Sequence, residues 1–360
     1  MQELAKTAIF AGAALAIGIA AAVVQPESAT PAIFSDQGTA FYPRFTDPQA
    51  ARTIEVVDYD EATATPLKVQ FQRGKWLITT HYNYPVDIGD RLVKTAASLM
   101  DVKKDIVRSD SAQDHAQLGV VDPLDQKVAG LSGRGKRVTL RDAHNDVLAD
   151  YILGKPAEGK PGYRYIRVPG QKRTYAVKTD ADPSARFADW VNAGVLRIPG
   201  GSLTKVTVNR YNIDETGRLA NVQNQTYTPA SPQWKTLSSA LEVLRIADVR
   251  PKSPTLAEDL RSGQLRLEIE TAVALRQKGY FLSPNGRIYS SEGDMSAETN
   301  SGVVYTMRFG DVVSSGGAGD NRYLFVTASG DEKRARDLNA RFADWYYVIS
   351  GKDFQRLMAK

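Results

Sequence analysis

Ala185-Arg186-Phe187-Ala188-Asp189-Trp190 recurs residue for residue as Ala340-Arg341-Phe342-Ala343-Asp344-Trp345. Six identities in a row point to an internally duplicated chain, and the flanking sequence extends the reading in both directions. Upstream of the first copy, short β-rich runs at Val138–Leu140, Val147–Leu153, Tyr163–Val168 and Thr174–Val177 are separated by Gly, Pro and Asp-Asn pairs. Earlier still, Leu67, Val69 and Phe71 alternate with polar residues, Gly74 follows, and Trp76 and Ile78 resume the apolar pattern, a hairpin signature. After Pro85, the spacing of Ile88, Leu92, Ala96 and Leu99 predicts a helix with Asp87 as its N-cap.

The second half repeats this order. Val206 and Val208 begin a strand, and Ser231-Pro232 supplies an N-cap and N1 proline before Leu237, Leu241 and Leu244. Trp234 precedes that helix as Trp76 precedes the first, and Val249-Arg250 follows it as Val107-Arg108 follows the other. Asn285-Gly286 between Phe281-Leu282 and Ile288-Tyr289 marks a two-residue hairpin, and Gly316, Gly317 and Gly319 mark a second turn. Short strands with short connections favour antiparallel pairing. The expected fold is α+β: two tandem related units, residues 50–198 and 199–360, each a mainly antiparallel sheet with packed helices.

From Thr7 to Val24 the chain has no charge and almost no polarity. As a helix this run reaches roughly 27 Å, close to a hydrocarbon core. An uncleaved anchor, a cleaved signal peptide and a buried helix compete, and the length of the run favours the anchor over a signal peptide. Lys6 before the span, with Glu27 and Asp36 after it, places the bulk of the chain outside the cytoplasm. Residues 25–49, with Pro, Ser, Thr and Gly, read as a tether. The expectation is a single-pass protein of a bacterial inner membrane with its bulk in the periplasm.

No reactive set stands out. The 360 residues include no cysteine, so disulfides, thiolate nucleophiles and thiolate metal sites are excluded. Gly130-Leu131-Ser132-Gly133-Arg134-Gly135-Lys136-Arg137 nearly matches a phosphate-binding loop, but Arg137 stands where a magnesium-binding Ser or Thr belongs, and a strand follows instead of a helix. His81, His115 and His144 are too scattered for a ligand pair. Asp58, Asp60 and Glu61 read as a charged turn, and Glu258, Asp259, Glu268 and Glu270 as surface charges. No catalytic, cofactor-binding or metal residue is assigned. Charge is more informative: Gly133–Arg173 holds ten Lys or Arg and four Asp or Glu, a surplus of six in a chain whose net charge is +5. Arg134, Lys136, Arg137, Lys172 and Arg173, with tyrosines interleaved, are therefore candidates for an anionic partner: a lipid headgroup, an acidic glycan or an acidic protein surface. Nucleic acid does not fit an extracytoplasmic location.

Lys75-Trp76, Val147-Leu148-Ala149-Asp150-Tyr151-Ile152-Leu153-Gly154-Lys155, Tyr163–Val168, Thr174–Val177 and the ending Leu338–Ile349 resemble the bacterial domain of unknown function 4340 family. That resemblance implies a membrane-anchored extracytoplasmic protein, with some relatives linked to auxiliary components of gliding-type ABC transporters. It brings no catalytic residues with it. The functional expectation is a non-catalytic membrane module that binds or scaffolds an envelope complex, a transporter among them, with an anionic-glycan or lipid binder and an uncharacterised hydrolase as alternatives.

Overall fold

A computed structural model describes residues 36–59, 63–87, 91–127, 132–214, 218–266, 268–283, 286–313 and 320–358. The apolar span 7–24, the tether as far as residue 35, and Asp60, Glu61, Ile88, Gly130, Leu131, Asn285, Gly316, Gly317 and Gly319 lie outside them. Among the described residues no helix is long and apolar enough to cross a membrane.

Nine strands form the first sheet: β1 (Thr53–Tyr59), β2 (Ala64–Gln72), β3 (Lys75–Ile78), β4 (Tyr84–Pro85), β5 (Ile106–Ser109), β6 (Lys136–Arg141), β7 (Val147–Pro156), β8 (Tyr163–Arg167) and β9 (Thr174–Lys178). Their spatial order is β4-β3-β2-β1-β6-β7-β8-β9-β5, antiparallel throughout. The β2–β3 hairpin turns on Arg73 and Gly74, both at positive φ, the backbone that matches strand twist in a two-residue turn. Helix α1 (Arg91–Met100) buries Leu92, Ala96 and Leu99, three of the four residues that its spacing selects. A single helical turn, α2 (His115–Leu118), follows β5.

A second sheet contains β10 (Leu203–Ile213), β11 (Leu219–Tyr227), β12 (Ile246–Pro251), β15 (Asp294–Thr299), β16 (Val303–Val312), β17 (Arg322–Gly330) and β18 (Trp345–Ile349). The order is β11-β10-β15-β16-β17-β18-β12, again antiparallel. Helix α3 (Trp234–Glu242) precedes β12 and buries Leu237 and Leu241. Then come α4 (Pro254–Ser262), α5 (Ile269–Arg276) and a separate hairpin of β13 (Tyr280–Leu282) with β14 (Ile288–Ser290). Helix α6 (Glu332–Phe342) joins β17 to β18, and α7 (Gly351–Met358) packs on α3. The result is α+β with antiparallel sheets, as the strand spacing predicts.

Without β3 and β4, the first sheet reads hairpin, helix, edge strand and four-strand meander, and the second sheet reads the same. Val107 and Val249 fall on the corresponding edge strands β5 and β12. Other landmarks depart from the expected order. Trp76 lies on β3, whereas Trp234 opens α3. That helix begins three residues after Ser231, whose carbonyl closes a turn by accepting from Trp234 N–H at 3.0 Å. The first hexapeptide follows β9 as a 3-10 turn at Phe187–Asp189, whereas the second ends α6 and starts β18, so the two copies flank opposite ends of the last strand of their sheets and are not equivalent in the fold.

The hexapeptides nevertheless meet. Tyr84 of β4 packs edge-on against Phe187 (centroids 5.3 Å apart) and against Trp345 (4.9 Å). Phe187, Trp190 and Phe342 are buried within one hydrophobic cluster that runs through both sheets, taking in Ile54, Val138, Leu241 and Met307. Those aromatics are core anchors, as their spacing suggests.

Candidate functional site

The glycines of the phosphate-loop-like stretch have a packing role. A Cβ on Gly133, where φ is +75°, would lie 2.2 Å from the Ala116 carbonyl oxygen, and one on Gly135 would lie 2.6 Å from that of Gly119. Across β7, a Cβ on Gly154 would lie 2.6 Å from the Leu118 carbonyl oxygen. Missing side chains thus let segment 115–121 lie directly on β6 and β7, where Val121 N–H donates to Gly133 O and Gly135 N–H to Val121 O.

Three arginines then hold this segment and its surroundings, Arg134 and Arg137 at the loop that follows and Arg167 at Val120. Arg134 Nη1 donates to the carbonyls of Asp122, Pro123 and Asp125, and its guanidinium lies over the Tyr59 ring at 5.0 Å. Arg137 donates to Asp122 at 3.0 Å and to both oxygens of Asp150, at 3.1 and 2.7 Å. The Asp150 bond holds the Arg137 pKa above its ordinary value. Arg167 is 6% exposed; its Nε donates to Val120 O and its Nη1 to Gln171 O, each at 2.9 Å.

Between this loop and the turn at 170–172 lies a cleft of about 540 Å³, lined by His115, Asp122, Asp125, Arg137, Arg167 and Lys172 among others. His115 Nε2 donates to the Lys172 carbonyl at 2.8 Å, which fixes the protonated ring nitrogen; burial lowers its pKa, so the ring is neutral at pH 7. Burial also lowers the Arg167 pKa, with Asp122 and Asp125 opposing that effect. Asp122 is already committed to Arg137, and among the described residues no carboxylate stands within ion-pair distance of Arg167. A buried cation that bonds only neutral carbonyls keeps its need for a counter-charge.

Of the five basic residues selected from sequence, the cleft gathers Arg137 and Lys172, with Arg134 behind the loop. Lys172 is exposed. Lys136, the neighbour of Arg137 on a period-two strand, points elsewhere and pairs with Asp182 at 2.7 Å and Asp58 at 3.5 Å. Arg173 pairs with Asp110, whose hydrogen bonds raise its pKa. The sequence surplus is thus partly met by Asp58, Asp110, Asp122 and Asp182, all outside the window in which it was counted.

The remaining ionisable residues are dispersed. His81 stacks on Phe187 and lies 3.7 Å from Asp248; His144 is exposed beside Asp142. Asp259 is no surface charge, as its sequence context suggests, but is 2% exposed and accepts from the N–H and Nε of Arg266. Among the described residues no three His, Cys, Asp or Glu stand together as a metal site. Sequence reasoning missed Arg167 because β8 reads as an ordinary strand and only the tertiary fold buries its last residue.

The family model of a domain of unknown function, DUF4340, matches residues 76–262, more than half of the chain. The chain belongs to the DUF4340 family. The DUF4340 match starts on β3 and ends with α4, so it spans the cleft and parts of both sheets. No curated protein and no solved structure matches this DUF4340 chain.

Proposed function

We propose that this chain is a non-catalytic, membrane-anchored extracytoplasmic module, built by internal duplication, that binds an acidic group of an envelope partner in the cleft at Arg167. The buried guanidinium, which bonds only neutral carbonyls and has no carboxylate at ion-pair distance among the described residues, carries this reading. A carboxylate or phosphate entering the cleft supplies the missing charge, and exposed Lys172 adds a longer-range attraction. The groups around it act as braces: His115 ties its turn to Lys172, and Arg137 ties Asp122 to Asp150. The shared strand order of the two sheets supports duplication, and the apolar run 7–24 supports an anchor. A transporter-associated complex is the partner class that the family resemblance favours. An acidic glycan or lipid headgroup is the second reading, favoured by the same cation.

Crosslinking of the full chain in its own membrane, followed by identification of captured proteins, tests the proposal. Arg167→Gln and Lys172→Glu should each reduce capture of the same partner, the first by about 10- to 100-fold in Kd, the range for losing a charge-assisted hydrogen bond. Lys172 is exposed, so its variant keeps the fold. Capture unchanged in both variants would remove the cleft from recognition, and Arg167-dependent retention of an acidic glycan would favour the second reading.

A further inference from the structure

Four strands end the two large sheets, and three of them are poor templates for another strand. β4 has two residues and ends at Pro85; β5 has four and carries Arg108; β12 carries Asp248, Arg250 and Pro251. Short length, charge and proline are the features that keep sheet edges from pairing. β11 has none of them. Its nine residues, Leu219-Ala-Asn-Val-Gln-Asn-Gln-Thr-Tyr227, include no charged residue in a chain that is 24% charged, and Asn221–Thr226 are exposed. The corresponding strand of the first sheet, β2, has this edge covered by β3. A bulge at Asn221, with φ +54°, disturbs one end of β11; beyond it Gln223–Tyr227 run in continuous register with Val206–Arg210.

We infer that β11 pairs antiparallel with β11 of a second copy of this chain, about a two-fold axis at Asn224. This rests on β11 alone and is independent of the cleft. The period of two requires that residues opposite one another face the same side of the sheet, so the axis passes through a residue and not between two. Asn224 is the centre of the exposed run left after the bulge. The register then sets Gln223 against Gln225 of the other copy and Val222 against Thr226. Each amide carries both donor and acceptor, so an identical strand is a chemically matched partner. A charge near the axis would meet its own copy, and β11 has no charge. The contact is short, and confinement to a membrane surface would raise its effective concentration.

Because the chain has no cysteine, single cysteines are clean reporters. The full chain carrying Asn224→Cys, oxidised in the membrane, should give severalfold more disulfide-linked dimer than one carrying Lys333→Cys, an exposed position on α6. Adding Gln223→Glu and Gln225→Glu should return the yield to the control level, since the register places like charges opposite. Adding Gln223→Lys and Gln225→Glu should restore it, since the same register then places opposite charges together. The inference is overturned if Asn224→Cys crosslinks no more than the control, if it joins a different protein, or if the Lys/Glu pair behaves like the Glu/Glu pair.

Discussion

Lys252 is 6% exposed, and its Nζ donates to the carbonyls of Phe342 and Trp345, each at 2.7 Å. It caps the end of α6 at the second hexapeptide and lies 4.4 Å from the Phe325 ring centroid. Burial pushes its pKa down to about 7 from 10.5. The unfolded chain therefore holds this proton up to about pH 10.5 while the folded chain releases it near 7, and the group makes stability rise with pH between those values. Lys252→Met removes that slope together with two hydrogen bonds. Relative to wild type, the variant should lose about 2.7 kcal/mol of stability between pH 6 and pH 9. Urea titrations at the two pH values check this; an equal deficit at both would show that the amine keeps its proton in the fold. Arg137 shows why single residues were hard to read from sequence. Its surplus charge was visible, but Asp122 and Asp150, which absorb it, become neighbours only through the β6–β7 pairing and the loop laid across it.

Elements were more legible than side-chain roles because periodicity is local. The runs at 138–140, 147–153, 163–168 and 174–177 fall on strands except for Val168, just past β8, and Leu92, Ala96 and Leu99 all face the core. The cleft was not legible, since its lining comes from α2, β6, the end of β8 and two loops that sequence keeps apart. The one local sign of it was glycine. Gly133 and Gly135 resemble a nucleotide motif because both situations need bare backbone at close approach, here for a neighbouring segment instead of a phosphate. Gly135→Ala tests this. The added methyl would sit 2.6 Å from Gly119 O, 2.7 Å from Ile152 Cγ2 and 2.9 Å from Leu153 O, contacts that require the 115–121 segment to lift and β7 to give way. Such overpacking costs about 1–3 kcal/mol, read as a lower urea midpoint at unchanged slope. An unchanged midpoint would mean that the segment is loosely held.

Across the whole molecule, the two sheets share one hydrophobic cluster, joined where Tyr84 touches both hexapeptides and where Ile246 N–H of β12 donates to Ala193 O. Repetition in sequence suggested two units, but not that their repeated segments would pack against a common ring. Phe187→Ala should therefore cost about 3–5 kcal/mol and lower a single calorimetric transition. Two separated transitions, only one of them shifted, would show that the sheets fold independently. The strand order also has a temporal meaning. Among the described residues β12 finds its one sheet neighbour in β18, with Ile246 opposite Ile349, and β5 likewise waits for β9. A chain emerging from its N-terminus cannot satisfy β12 until β18 has appeared, and such late, non-local closure makes folding slow. Each sheet is thus completed by its last strand, so a prematurely ended chain presents an open edge that quality-control proteases can recognise.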